Sequence, residues 1–208
     1  MKKAVAVCLS LLLLFGLGGC KKEEPLSELE TIQKQLNEMD GYYCTASLTR
    51  ISNKGETTYG TKQYAKSTGE YRLELTSPEN VAGNYTIFDG QKICQYNPRL
   101  NNQLVKDVPA SQHRNELFLG QFIKNYMQSE GVGVEAAALD DSKCIVMEAV
   151  IPGTDGALSS EKLWVDRETY LPKRLVLYDS QGQERYRLDY DEFVYNPDFE
   201  ENLFQIKE

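Results

Sequence analysis

The sequence predicts a mainly β protein: a large curved, mostly antiparallel sheet of roughly ten or eleven strands with two helices covering its concave face. Three observations carry that expectation. Apolar and polar residues alternate along most of the chain, two stretches instead repeat at helical spacing, and thirteen Tyr and seven Phe suit strands.

The N-terminus stands apart from this domain. Lys2 and Lys3 precede an apolar run from Ala4 to Phe15, followed by Gly16, Leu17, Gly18, Gly19 and Cys20. This is the layout of an export signal, and its apolar core is too short for the ~20 residues that span a bilayer. Leu17-Gly18-Gly19-Cys20 resembles the bacterial lipobox, whose cysteine receives diacylglycerol and becomes the first residue of the mature chain. The expected organisation is therefore a signal peptide over residues 1–19, a lipidated tether over 20–25 and one domain over 26–208. The partner implied at this end is a membrane, held through acyl chains on Cys20, palmitate among them. Anchoring by two or more chains is stable where one is marginal, because each buried methylene contributes about 0.8 kcal/mol.

Loss of Lys2 and Lys3 with the signal takes the net charge from −8 to −10. An acidic chain is a poor partner for nucleic acid or for anionic lipid by charge alone. Besides Cys20, the mature chain holds Cys44, Cys94 and Cys144, too widely spaced for a zinc site. Buried thiols on strands are the favoured state, with one intrachain or intermolecular bridge as the alternative.

The elements follow in order. Leu26, Leu29, Ile32, Leu36 and Met39 make a helical stripe that Asp40-Gly41 stops. Cys44, Ala46 and Leu48 alternate with Thr45, Ser47 and Thr49, and a turn at Ser52–Gly55 leads into a strand from Thr57 to Lys66. Ser67-Thr68-Gly69 turns the chain into Tyr71, Leu73 and Leu75. Asp89-Gly90 between Tyr85–Phe88 and Lys92–Tyr96 is a strong hairpin signal. A second helix is expected from about Gln112 to Gln128, N-capped by Ser111, with Phe118, Leu119, Phe122, Ile123, Tyr126 and Met127 on one face and Gly131 at its end. Strands follow over Val132–Ala138, Lys143–Ile151, Glu161–Asp166 and Lys173–Tyr178, with Pro152–Ser160 an exposed loop. In the last strand Tyr186, Leu188 and Tyr190 oppose Arg185, Arg187, Asp189 and Asp191.

Two runs, Ser77–Pro98 and Glu161–Asn196, carry a family likeness. Asp89-Gly90 followed by Cys94-x-Tyr96, then Leu163-Trp164-Val165-Asp166, Leu171-Pro172, Asp179 and Gly182, and the closing Asn196–Phe204 resemble the LolA and LolB-like lipoprotein carriers. That resemblance implies an unclosed β-barrel with a helical lid. Cys94 stands where many relatives place Trp, so an aromatic ligand contact does not carry over there. Glu79–Asn84 and Glu148–Gly153 look like the narrower branch of clostridial spore germination lipoproteins. Its implied role is non-catalytic: binding and supporting an N-acetylmuramoyl-L-alanine amidase, which permits formation of cortex muramic-lactam.

The residues themselves offer little for catalysis. His113 is expected on a helix surface, and no metalloprotease, nucleophile-elbow or phosphate-loop motif is present. Ser159-Ser160-Glu161-Lys162 matches S-x-x-K but leads into a strand, where serine and lysine fall on opposite faces. Asp189 and Asp191 share a face with Arg185 and Arg187, which reads as a charge row. The expectation is a binding protein that is not an enzyme and uses no cofactor. It acts either as an adaptor for a protein partner or as a carrier holding acyl chains. Tyr71, Leu73, Trp164, Leu175, Leu177, Tyr186 and Leu188 are the inward residues that would line a cavity, and a packed or partly open interior is expected.

Overall fold

The computed structural model describes residues 27–130, 133–153 and 157–206. The signal peptide, Cys20 and the tether lie outside them, as do Leu26, Gly131 and Val132.

Eleven strands form one antiparallel sheet. In chain order they are β1 (Gly41–Ser52), β2 (Gly55–Lys66), β3 (Tyr71–Ser77), β4 (Tyr85–Phe88), β5 (Lys92–Asn97) and β6 (Asn102–Asp107), then β7 (Val134–Leu139), β8 (Ser142–Val150), β9 (Ser160–Asp166), β10 (Pro172–Tyr178) and β11 (Glu184–Tyr195). Helix α1 (Glu28–Asn37) precedes β1, and α2 (Leu119–Gln128) lies between β6 and β7. The spatial order is β6-β5-β4-β3-β2-β1-β11-β10-β9-β8-β7. Neighbouring strands follow one another in sequence except at one place, and one consecutive pair is not adjacent. β11 returns to pair with β1, and the β6–β7 connection passes from one edge of the sheet to the other. That long connection carries α2 over the face it crosses. β6 and β7 do not pair, so the barrel stays open.

Local chemistry sets the elements. Ser27 caps α1 through a capping box: its hydroxyl accepts from Glu30 N, and the Glu30 carboxylate accepts from Ser27 N at 2.8 Å. At the β4–β5 hairpin, Asp89 Oδ1 accepts from Gln91 N and Lys92 N, and Gly90 takes φ +98°, which an L side chain disfavours. β11 contains a bulge at Asp191: Thr45 faces Glu192 while Ala46 faces Tyr190. The extra residue resets the alternation, so Tyr190 and Phe193 both turn inward, their rings edge to face at 5.5 Å.

The core is a cross-strand row in which Leu48, Leu188, Leu175, Leu163 and Met147 stand opposite one another across β1, β11, β10, β9 and β8. Ile32 and Leu36 from α1, and Phe118, Leu119 and Phe122 around the start of α2, complete it. Each such side chain contributes roughly 1.5–3 kcal/mol by leaving water.

Three expectations need correction. The second helix starts seven residues late: Ala110–Gln112 is a single 3-10 turn, Phe118 is the N-cap residue, and Ser111 caps nothing. Tyr42 on β1 accepts the Leu119 N–H at 3.1 Å, so a group 77 residues away satisfies that helix end. β6 is a strand beyond those expected, a polar edge with Leu104 half exposed. Trp164 does not face inward. Leu163 and Val165 on either side of it are fully buried in the core, so the pleat turns Trp164 to the convex face, opposite Val146 and Arg174.

Candidate functional site

The concave face has a closed half and an open half. In the closed half, a polar seam fastens the α2 region to the sheet. Tyr42 Oη donates to Gln63 Oε1 at 3.0 Å while accepting from Leu119 N, and Gln63 Nε2 donates to the Leu117 carbonyl. Asn125, on the buried side of α2, donates Nδ2 to Glu161 Oε1 on β9 at 2.5 Å and accepts from Arg114 and Gln121. Ser129 Oγ donates to the Asn125 carbonyl and accepts from Val150 N, fixing the end of α2 to β8. Gln33 Nε2 on α1 donates to Tyr126 Oη on α2 at 2.9 Å.

Glu161 is the chemically unusual member. It is fully buried, and burial pushes its carboxyl up to about 8, with the Asn125 hydrogen bond opposing. At neutral pH it is therefore mostly the uncharged acid. Glu161 Oε2 and Tyr190 Oη are the two buried side-chain atoms among the described residues without a hydrogen-bond partner. Sealed from solvent, this acid stands in the packing between α2 and the sheet. The sequence pattern groups Glu161 with Ser159 and Lys162. Its alternation with Leu163 and Val165 is the available signal for an inward carboxyl.

Beneath the two helices the interior is filled. A void of about 10 Å³ remains among Leu36, Phe122, Ile123, Tyr126 and Met147, and one of about 40 Å³ beside Tyr71 and Phe118. The open half lies at the other end of the strands, where the β1–β2 hairpin, the β10–β11 turn and Ala157-Leu158 surround a groove of about 1000 Å³. Arg50, Lys54, Thr57, Tyr59, Tyr186 and Arg185 are among its walls. Arg185 is held by Asp179 at 2.6 Å. That carboxyl is kept below its usual range, chiefly by the Gln183 backbone N–H and also by Arg185.

The residues expected to line a cavity thus part company. Leu175, Leu177 and Leu188 are fully buried. Tyr71 is buried against Phe118, their rings 4.3 Å apart. Leu73 borders a depression of about 370 Å³ on β3–β5, and Tyr186 lines the large groove. Trp164 lies on the far side of the sheet. Arg50 and Tyr59, which no sequence motif singles out, face the groove.

The other candidates are accounted for locally. His113 lies outside α2, its Nε2 2.8 Å from the Val108 carbonyl and its ring edge-on to Phe88. Lys162 turns outward to Glu135 and Glu148, away from the inward Glu161. Asp189 pairs with Arg174 and Arg187, and Asp191 is the exposed bulge residue. Cys44, Cys94 and Cys144 are free and buried, and burial raises all three thiols. No helix among the described residues is long and apolar enough to cross a membrane.

An uncharacterized conserved protein from Thermus thermophilus superposes with a TM-score of 0.55 at 16% identity, covering 88% of this chain and 95% of that one. A LolA superfamily protein from Nitrosomonas europaea matches at 13% identity and TM-score 0.44, over 88% and 99% of the two chains. In the structure of the CwlD amidase from Clostridioides difficile in complex with the GerS lipoprotein, a chain matches at 29% identity and TM-score 0.45, over 86% and 98%. No curated protein sequence matches the chain. A family described as sporulation protein YdcC-like matches residues 1–204, from the first residue through nearly the whole sheet domain. The chain belongs to the YdcC-like sporulation protein family.

Proposed function

We propose that this protein is a membrane-anchored sporulation lipoprotein that works by binding a protein partner, and that the partner is a cell-wall amidase acting on the spore cortex. The anchor in this reading is diacylglycerol on Cys20, which places the domain outside the cytoplasmic membrane. The observation that carries the choice of adaptor over lipid carrier is the filled interior. Drug-sized ligands occupy about 300–1,000 Å³, and the voids described under the helices are about 10 and 40 Å³. The amidase as partner class is what the resemblance to the clostridial germination lipoproteins implies, and membership of a sporulation family is consistent with it.

The test is co-purification. Full-length protein in detergent and the sporulation amidase of the same organism are mixed and resolved by size exclusion. The expected result is co-elution, and spores of a deletion strain whose cortex lacks muramic-lactam. Separate elution together with a normal cortex overturns the reading. The carrier alternative predicts instead that organic extraction of the purified protein releases stoichiometric acyl lipid beyond that attached to Cys20, and that amidase binding is absent.

A further inference from the structure

The groove at the open end combines cationic, aromatic and uncharged polar walls. On the inner face of the sheet, the apolar row through Leu48 and Leu188 gives way, one row nearer the open end, to Arg50 opposite Tyr186 and Thr57. Tyr59 stands opposite Leu48. Arg50 is exposed, and neither it nor Lys54 makes an ion pair among the described residues. Asp179, the acid in the groove wall, is already engaged by Arg185. A chain with formal charge −8 therefore places in this groove two cations that have no ion-pair partner among the described residues. Two half-buried tyrosines, Tyr59 and Tyr186, line the same groove, and their rings offer flat apolar faces with a polar edge. Asn53, Ser52, Gln181 and Ser180 add uncharged hydrogen-bonding groups around the rim.

The position of the groove narrows its ligand. Glu28, at the start of α1, is ion-paired at 2.6 Å with Arg167 in the β9–β10 turn, so the N-terminal attachment lies at the end of the sheet where β1 begins. The groove lies where β1 ends. Twelve residues of strand separate the two ends by about 36 Å. The stretch from Cys20 to Leu26 reaches at most about 25 Å when fully extended. On the anchored reading above, the attached end is the near one and the groove opens away from the lipid surface.

We infer that this open end is a binding groove for a carboxylate-bearing glycan strand, with Arg50 as the principal anion contact, Lys54 beside it, and Tyr59 and Tyr186 packing on the sugar rings. A guanidinium grips a carboxylate with two parallel N–H donors, which gives orientation as well as attraction. The polar rim matches sugar hydroxyls, and the tyrosine faces match the apolar faces of sugar rings.

Full-length protein in detergent is titrated calorimetrically with a tetrasaccharide of alternating N-acetylglucosamine and N-acetylmuramic acid, whose lactyl groups carry the carboxylates. Chitotetraose, neutral and of equal length, and phosphatidylglycerol vesicles are the comparison probes. The muramic tetrasaccharide is expected to bind at least tenfold more tightly than chitotetraose, with affinity falling as salt rises. Arg50→Ala is expected to lower that affinity about tenfold, Lys54→Ala about threefold, and Arg50→Lys to restore part of the loss, all at an unchanged melting temperature. Equal affinity for the neutral sugar, no binding of either sugar, unaltered binding by Arg50→Ala, or preference for the vesicles overturns the assignment. The amidase is absent from the titration, and its co-elution with the Arg50→Ala variant is scored separately, so the failure of either reading is seen independently of the other.

Discussion

The two halves of the concave face are built from the same strands yet end in opposite ways. On β1, Tyr42, Cys44, Ala46 and Leu48 lie in the buried core, whereas Arg50, next on the same face, is exposed. On β11, Leu188 is fully buried and Tyr186, one row nearer the open end, is half exposed. What changes is the cover. The β6–β7 connection lays α2 over one half only, and the core exists where helix and sheet meet. A curved sheet does not by itself define a cavity. The lid decides which part of the inner face is structural and which part stays available to a ligand.

That contrast can be broken most directly at Phe122, fully buried between α2 and the sheet. Phe122→Ala should cost about 3–5 kcal/mol in denaturant unfolding, through lost burial and the cavity left behind. A loss below about 1 kcal/mol would mean that α2 does not seal the closed half.

The buried acid sharpens the comparison through pH. Glu161 has a folded-state value of about 8, above the ordinary glutamate range, so between roughly pH 4.5 and 8 the unfolded chain has released a proton that the folded chain retains. Stability should therefore fall as pH rises through that window, by at most about 1.4 kcal/mol per pH unit from this group, and level off above it. Glu161→Gln keeps the shape and removes the titration. It should flatten the slope and leave the variant more stable than the parent at pH 8, as read from urea midpoints at about pH 5, 6.5 and 8.

Smaller effects follow away from the seam. Ser27→Ala removes the capping box of α1 and should cost about 1 kcal/mol. Loss of protection confined to α1 in hydrogen exchange would confirm the site of damage. At the open end, Arg50→Ala should change stability by less than about 0.5 kcal/mol, since an exposed side chain without an ion pair supports no packing. A large loss there would erase the distinction between the two halves.

Much of this architecture is legible in the sequence wherever the determinants are local. The turn residues Ser52–Gly55 and Asp89-Gly90, the α1 stripe and the alternation of Tyr186, Leu188 and Tyr190 each specify their element within a few residues. The misreadings arise where the deciding contact is distant or ambiguous. The start of α2 is satisfied by Tyr42 on another element, which no local capping pattern reveals. β6 carries no alternating apolar face, and its pairing with β5 is what makes it a strand. Leu163-Trp164-Val165 is apolar on both faces, so composition cannot say which way the indole points. Arg50 reads as one more charged residue near a turn. Its meaning comes from standing on the inner face one row beyond the last leucine.

The three sealed thiols have a consequence for the redox behaviour of the folded domain. Cys44, Cys94 and Cys144 sit on β1, β5 and β8, each enclosed by packing that disfavours the thiolate needed for exchange. Among the described residues the folded domain therefore offers an oxidant no accessible thiol to couple, and its packing does not depend on the redox poise around it.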